Sequence, residues 1–344
     1  MTGRTGRALA RASFAATMLV SAGAAHAACD SGLRKISIGV SVSPPNVVHT
    51  TPYVAKELGL FAKHCIDANI IQFDGGGSPA SKAAAAQGTA LVSVQPVAIG
   101  HGVKVKQIWT LAPRMPQAYT VDKDIKTAAD LKGKRLSAAG GGVGSFNWIM
   151  GREVLKSAGL KPDDANFLSA ATAARLTGLI AGQVDAVALH PEDVYLAKQK
   201  NEGLHVLVQL ADLMPDWVFN AYGGQIAWID GNRPLMVDTM AALIEANRAI
   251  YRDKDKVVPI MVKATGKPKE AVEFAWDIET KNCVWSVNDG FDPKRTQWSI
   301  DNDVANGFIK ADAKPAVERV FDEKLAADAV KAAGGRVTIG KCSL

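Results

Sequence analysis

Apolar and polar positions alternate in Lys35-Ile36-Ser37-Ile38-Gly39-Val40, the two-residue period of a strand, and the run stops at Ser43-Pro44-Pro45. A helix is predicted over residues 52–58, with Thr51 as N-cap, Pro52 in its first turn and Gly59 ending it. Residues 69–73 read as a second strand, broken by Gly75-Gly76-Gly77, and Ser78 is placed to cap the next helix. The alternation continues with a strand over 135–138, a helix over about 146–158 closed by Gly159, a helix over 192–200 and a strand over 205–209. Such alternation predicts α/β lobes built on largely parallel sheets.

One unit is written twice. Ser78 leads ten positions later to Gly88, then to Val92-Ser93-Val94-Gln95 and Pro96; Thr172 leads to Gly182, then to Ala186-Val187-Ala188-Leu189-His190 and Pro191. Each copy opens on a helix-capping hydroxyl, closes its helix with Gly, and follows it with a short apolar run stopped by Pro. The copies lie 94 residues apart. Two similar lobes imply a cleft, where small ligands usually bind. The expected division is 28–115 for the first lobe, 116–222 for the second, and 223–344 for the return with its C-terminal helices. The chain then crosses near 112–119 and near 220–224, and 225–229 is expected to rejoin the first sheet. No Ser- or Pro-rich linker separates independent domains.

Residues 1–27 do not read as fold. Arg4, Arg7 and Arg11 precede a mostly apolar stretch over 13–23, and Ala25-His26-Ala27 fits a small-x-small cleavage site, the pattern of a secretory signal peptide. Cys29 is close enough to suggest a lipoprotein site, but His26-Ala27-Ala28 lacks the leucine such sites carry. No later apolar run reaches the ~18 residues of a membrane span, so the mature chain is expected to be soluble.

Export changes the reading of the four cysteines, which show no metal-type spacing. Three connectivities are open, as is the reading of buried thiols. Cys29 and Cys65 each precede a predicted strand, so adjacent strands favour Cys29–Cys65, which leaves Cys283–Cys342 to tie the tail to the body. The formal charge is +6, of which Arg4, Arg7 and Arg11 supply three. No basic block interleaved with aromatics appears, which argues against nucleic acid as a partner.

Tyr53-Val54-Ala55-Lys56-Glu57-Leu58-Gly59-Leu60-Phe61-Ala62-Lys63 resembles the signature of nitrate/sulfonate/taurine-type solute-binding proteins. The resemblance continues in Asp130-Leu131-Lys132-Gly133-Lys134-Arg135 and Ala181-Gly182-Gln183-Val184-Asp185-Ala186-Val187, covers roughly 34–260, and names no substrate. It implies a periplasmic-binding-protein-like fold with two hinge crossovers (type II), a monomer serving the permease of an ABC importer. The chain departs from the pattern at Gly88-Thr89-Ala90-Leu91, which lacks the Asp usual after the helix; that position is expected to be structural.

Binding then needs polar groups where strands end and helices begin. Gly75-Gly76-Gly77-Ser78 and Gly140-Gly141-Gly142-Val143-Gly144-Ser145 are such places, with Gly76, Gly77, Ser78, Gly142, Gly144 and Ser145 as candidate contacts to an oxyanion. Each also fits a tight turn without a ligand. Ser43, Pro44 and Asn46 follow the first strand, and Gln95 and His190 end the repeated ones. Glu192 and Asp193 suit the first turn of a helix, and Phe146, Trp148, Trp217 and Phe219 are candidates to stack on a flat ligand or to fill the core. Arg114, near the first crossing, is the candidate for bidentate pairing with carboxylate or sulfonate. No G-x-S-x-G, H-E-x-x-H or P-loop pattern is present, and neither a cofactor nor a metal is expected. The ligand expected is a small organic anion or zwitterion held mainly by backbone N–H groups, with Ser78 and Ser145 as side-chain donors. Two other readings stand beside transport: an enzyme like the thiamine-precursor synthases of the same fold, which are cytoplasmic, and a periplasmic sensor module.

Overall fold

The computed structural model describes Met1, Cys29 and residues 32–73 and 90–344. The segment expected to be a signal peptide, Gly75–Ser78 and the helix expected after Ser78 lie outside the described residues.

Two sheet systems form the two lobes. In the first, β1 (Arg34–Val40) pairs in parallel with β2 (Ile66–Gln72), and an isolated bridge from Ile38 to Leu91 carries the sheet toward β3 (Val92–Ser93). There β10 (Asn220–Gln225) lies between β3 and β4 (Val105–Ala112), antiparallel to both. The second lobe has the order β7 (Asn166–Leu168), β6 (Arg135–Ser137), β8 (Ala186–Leu189), β5 (Ala118–Val121), β9 (His205–Gln209). The expected largely parallel sheets are therefore mixed, since β5 and β10 run against their neighbours. The cause is the crossovers: each antiparallel strand is the first after the chain changes lobe, so it enters its sheet from the cleft end where the other strands finish.

Each lobe has its own apolar core. In the first, the Arg233–Arg252 helix buries Met236, Met240, Leu243, Asn247 and Ile250, the three-and-four spacing of one helix face. Trp109 of β4 and Tyr222 of β10, register partners, stack with ring centroids 6.2 Å apart. In the second lobe Leu136, Met150, Val154, Ala186 and Tyr119 close together under the Phe146–Ser157 helix. Fully burying a side chain of this size stabilises by ~1.5–3 kcal/mol, so the cores outweigh any surface ion pair.

Several boundaries move. The first helix is Thr51–Glu57 with Thr50 at its N-cap, because the Thr51 hydroxyl donates instead to Asn247 Oδ1 at 2.7 Å. Thr172 caps no helix through its side chain; a 3-10 turn at Thr172–Ala174 leads into the Arg175–Ile180 helix. Residues 226–229 begin a helix (Ile226–Gly231), so the strand that rejoins the first sheet is 220–225. Asp185, the acid of the second repeat, accepts from Arg135 N at 2.8 Å and Arg135 Nε at 3.1 Å, the structural task expected of that position.

Both disulfides pair as the favoured connectivity has them, Cys29–Cys65 and Cys283–Cys342. They close stretches of 36 and 59 residues, for which loop-closure entropy gives about 4 kcal/mol each as a ceiling. The Cys283→Ser/Cys342→Ser pair should lower unfolding stability by about 2–4 kcal/mol in denaturant titration, and an unchanged midpoint would show that the tail is held without the bond. Gly223 sets a second test. A Cβ there would sit 2.1 Å from the Lys106 carbonyl oxygen, across the β10–β4 pair. Gly223→Ala should therefore cost about 1–3 kcal/mol from steric overlap, read as a fall in melting temperature.

Candidate functional site

A cavity of about 430 Å³ lies between the lobes. The first lobe contributes Ser41, Asn46, His49, Ser93 and Gln95; the second contributes Gln117, the glycine loop, Thr172, Arg175 and His190. The return crossing adds Trp217, Phe219 and Asn220, and the C-terminal region adds Asp303 and Phe308.

The glycine loop occupies this place because Gly140, Gly141, Gly142 and Gly144 all have positive φ, a conformation that side-chained residues rarely adopt. The loop delivers Ser145 as N-cap of the Phe146–Ser157 helix, where its Oγ accepts from Trp148 N at 3.3 Å. Much of its hydrogen-bonding capacity is already spent. Gly142 N donates to Ala138 O at 3.0 Å, Ser145 N to Gly142 O at 3.0 Å, and the Ser145 hydroxyl to Ala138 O at 3.3 Å.

Among the described residues Arg175 is the cation that lines the cavity. Its side chain is almost fully buried, with Nη2 donating to Asn46 Oδ1 at 3.3 Å and lying 3.8 Å from Asp193 Oδ2, while Nε has no partner. Other buried polar atoms on residues that line the cavity also lack a partner among the described residues: His49 Nδ1, Gln117 Oε1, Thr172 Oγ1, His190 Nδ1 and Asn220 Oδ1. Buried polar atoms are normally paired, so a concentration of orphans in one cavity marks a place for ligand or water. Burial, reinforced by Arg175, pulls the His49 pKa down to about 3, and the same two causes hold His190 well below its usual value, so both imidazoles are neutral. The His49, His190 and Phe219 rings meet edge-on or tilted at centroid distances of 5.6–5.8 Å.

Of the residues predicted from sequence, Asn46, Gln95, Gly144, Ser145 and His190 line the cavity, as do Phe146, Trp217 and Phe219. Gly142 does not line it, since its N–H turns back to Ala138. Ser43 and Pro44 also stand outside: the Ser43 hydroxyl donates to Gln72 Oε1 at 3.0 Å and Pro44 is exposed. Arg114 is exposed on the crossing segment beside the like charge of Arg295, away from the cavity. Gly76, Gly77 and Ser78 lie outside the described residues. Trp148 packs against Phe167 and under the Arg152 guanidinium instead of a ligand.

The sequence reading missed Arg175, His49 and Asp303. A signal for Arg175 existed: it starts a helix, where the dipole disfavours a cation, at the carboxyl end of the sheet. Glu192 and Asp193 do more than serve their helix turn. Asn46 Nδ2 donates to Glu192 Oε1 at 2.7 Å and Asp193 Oδ2 at 3.3 Å, Val47 N donates to Glu192 Oε1 at 3.1 Å, and Lys267 Nζ donates to Asp193. These bonds tie the two lobes across the cleft.

A two-lobed α/β protein with two crossovers and a ligand-sized interlobe cavity belongs to the binding-protein class of folds. The NMT1/THI5-like family model matches residues 46–256, and the chain belongs to that family. Its fold is that of the alkanesulfonate-binding protein SsuA from Xanthomonas axonopodis pv. citri bound to MOPS (TM-score 0.66, 18% identity, 85% of this chain and 99% of that one). It is equally that of the periplasmic nitrate-binding protein NrtA from Synechocystis PCC 6803 (TM-score 0.69, 14% identity, 87% and 89%). The desulfurization enzyme DSZB shares it too (TM-score 0.59, 13% identity, 87% and 99%). No curated protein matches the sequence at a significant level. Among the described residues no helix is long and apolar enough to cross a membrane.

Asp303 gives the cavity a pH dependence. Burial pushes its pKa up to about 7, against a smaller opposing pull from Arg152. A carboxyl whose folded pKa is raised binds its proton more tightly when folded, so its stabilisation is present below pH ~4 and is lost as pH climbs to ~7. Asp303→Asn should therefore gain melting temperature relative to the parent as pH rises from ~5 to ~8. A difference that stays flat over that range would place the ionisable group elsewhere.

Proposed function

We propose that the protein is a periplasmic solute-binding protein that captures a small organic anion or zwitterion, bearing carboxylate or sulfonate, and delivers it to the inner-membrane permease of an ABC importer. In this reading it is exported by its N-terminal segment, works as a monomer without cofactor, and divides into lobes at 28–115, 116–222 and 223–344. The observation that carries it is Arg175: a buried guanidinium that lines the cavity, with one N–H lacking a partner among the described residues, in company with other unpartnered polar groups on the lining residues. Charge-assisted, planar recognition of an oxyanion is what such a group does best. Family membership and the shared fold of sulfonate- and nitrate-binding proteins support the same class.

The walls favour an organic ligand over a bare inorganic ion. Phe146, Trp217, Phe219 and Phe308 line a volume far larger than nitrate requires, and apolar walls gain affinity only against carbon. Binding is favoured over catalysis because all four cysteines are paired, leaving no thiol nucleophile, and among the described residues no hydrogen bond joins either cavity histidine to a hydroxyl.

A thermal-shift screen over amino sulfonates, aromatic acids and pyrimidines should raise the melting temperature with an anionic or zwitterionic compound, through mass action on the folded state. Stabilisation only by cationic or wholly apolar compounds would overturn the reading. With the ligand found, Arg175→Met should weaken binding by about 100-fold or more, as expected for truncating a buried charge pair. Ser145→Ala should change affinity far less, its hydroxyl being engaged with Ala138. Circular dichroism and melting of the free variants separate lost contacts from lost fold. Small-angle scattering should show compaction on binding if the lobes close as a hinge.

A further inference from the structure

At His190, on the wall of the cavity, three ligand-type side chains converge. His190 and Glu192 open the Pro191–Lys200 helix, which packs on the Lys269–Lys281 helix carrying Glu279. One donor atom from each of the three lies within 4.8 Å of the others. All are buried, with relative exposures of 2%, 0% and 0%. His190 Nδ1, Glu192 Oε2 and both Glu279 carboxyl oxygens lack any hydrogen-bond partner.

The surroundings leave charge unmatched. Asp193 is paired with Lys267 and Arg175, and Glu192 accepts from neutral donors, Asn46 Nδ2 and Val47 N. His49 is neutral, and burial keeps the Tyr251 phenol, near Glu279, un-ionised. If ionised, Glu192, Asp193 and Glu279 have only Lys267 and Arg175 as cationic neighbours among the described residues, so one buried negative charge needs a proton or a cation. Burial, with Glu192 beside it, holds the Glu279 carboxyl well above its usual range, yet a proton there would find no acceptor, since neither Glu279 oxygen has a hydrogen-bond partner among the described residues. The groups are instead gathered yet separated, as around a space for an ion.

We propose that His190, Glu192 and Glu279 form a divalent-cation site of the kind zinc occupies, bridging the two lobes. One imidazole nitrogen and two carboxylates at ~2.0–2.2 Å are a donor set for zinc, and zinc outcompetes manganese or iron at nitrogen and oxygen ligands of this kind. The outer shell is at hand. His190 Nε2 lies 2.9 Å from Gln117 Nε2, while Gln117 Oε1 has no partner. A half-turn of that amide lets Nε2–H donate to Oε1 and leaves Nδ1 free to ligate, the arrangement by which metal-bound histidines are held. Glu279 stands on a helix whose Val272 and Ala275 belong to the first lobe's core, while Val194 and Ala197 beside Glu192 belong to a core of the second. A bound cation therefore strengthens the closed arrangement, and it does so whatever solute the cavity takes.

The test is calorimetric titration of ZnCl₂ into chelator-stripped, full-length mature protein, with elemental analysis of the reloaded sample. One equivalent is expected, with a dissociation constant in the micromolar range or tighter and a rise in melting temperature. Glu279→Gln, which keeps shape and removes the charge, should weaken zinc by at least about 100-fold. His64→Gln, which removes an unrelated histidine paired with Glu245, should leave it unchanged. Absence of stoichiometric zinc binding overturns the proposal, and so does zinc binding that survives Glu279→Gln. If the parent binds no zinc while Glu279→Gln is as stable as the parent or more so, the site holds a proton instead. Solute affinity measured on the same samples keeps this result separate from the solute reading.

Discussion

The Asn46 amide is the point on which the arrangement of the two lobes depends. It donates to Glu192 and Asp193 and accepts from Arg175, so one neutral side chain of the first lobe engages three charged ones of the second. Those charges are buried, and a buried charge is tolerable only when paired or hydrogen-bonded. Separating the lobes would strip Asn46 from its partners but return them to water. The network therefore costs little in the open state and becomes strong only as water is excluded. That is the property a closing cleft requires: interactions weak when wet and strong when dry.

Topology decides what stands around that amide. Because the chain changes lobe at the cleft end of the sheets, β5 and β10 begin there, and Gln117 and Asn220 flank the crossings. The parallel strands end at the same place, delivering the glycine loop after β6 and His190 after β8. The connections of the fold thus supply the polar groups, while the helices and crossing segments supply Phe146, Trp217 and Phe219. Neither lobe alone makes a site.

Local rules made much of this legible. Period-two runs, Gly stops and the repeated unit point to the strands, the two lobes and both disulfides, because each rests on near-neighbour chemistry. The resemblance at residues 53–63 places the family. What escapes reading depends on side-chain direction across long separations. Arg114 and Arg175 look alike as letters, yet one points to solvent and the other is buried against Asn46, 129 residues away. Ser145 and Gly142 look like free donors in the sequence, but their hydrogen bonds close locally on Ala138, a use that composition does not disclose. Glu192 looks like an ordinary first-turn acid because the partners that bury it come from the other lobe.

In the solute-binding function proposed above, selectivity turns on the uncommitted polar groups, Arg175 first. A ligand that leaves Arg175 Nε unmet loses the gain from pairing a buried donor, whereas one that meets it exchanges water for a charge-assisted bond in a drier medium. The aromatic walls then ask for carbon beyond the anionic head, since water held against Phe146 and Phe219 is poorly bonded and easily displaced. Asp303, across the same cavity, opposes a second negative charge once it ionises near neutral pH. Under that proposal, one oxyanion with an apolar body, or an oxyanion balanced by an ammonium group, would satisfy all three constraints together, and a dianion would satisfy the first and violate the third.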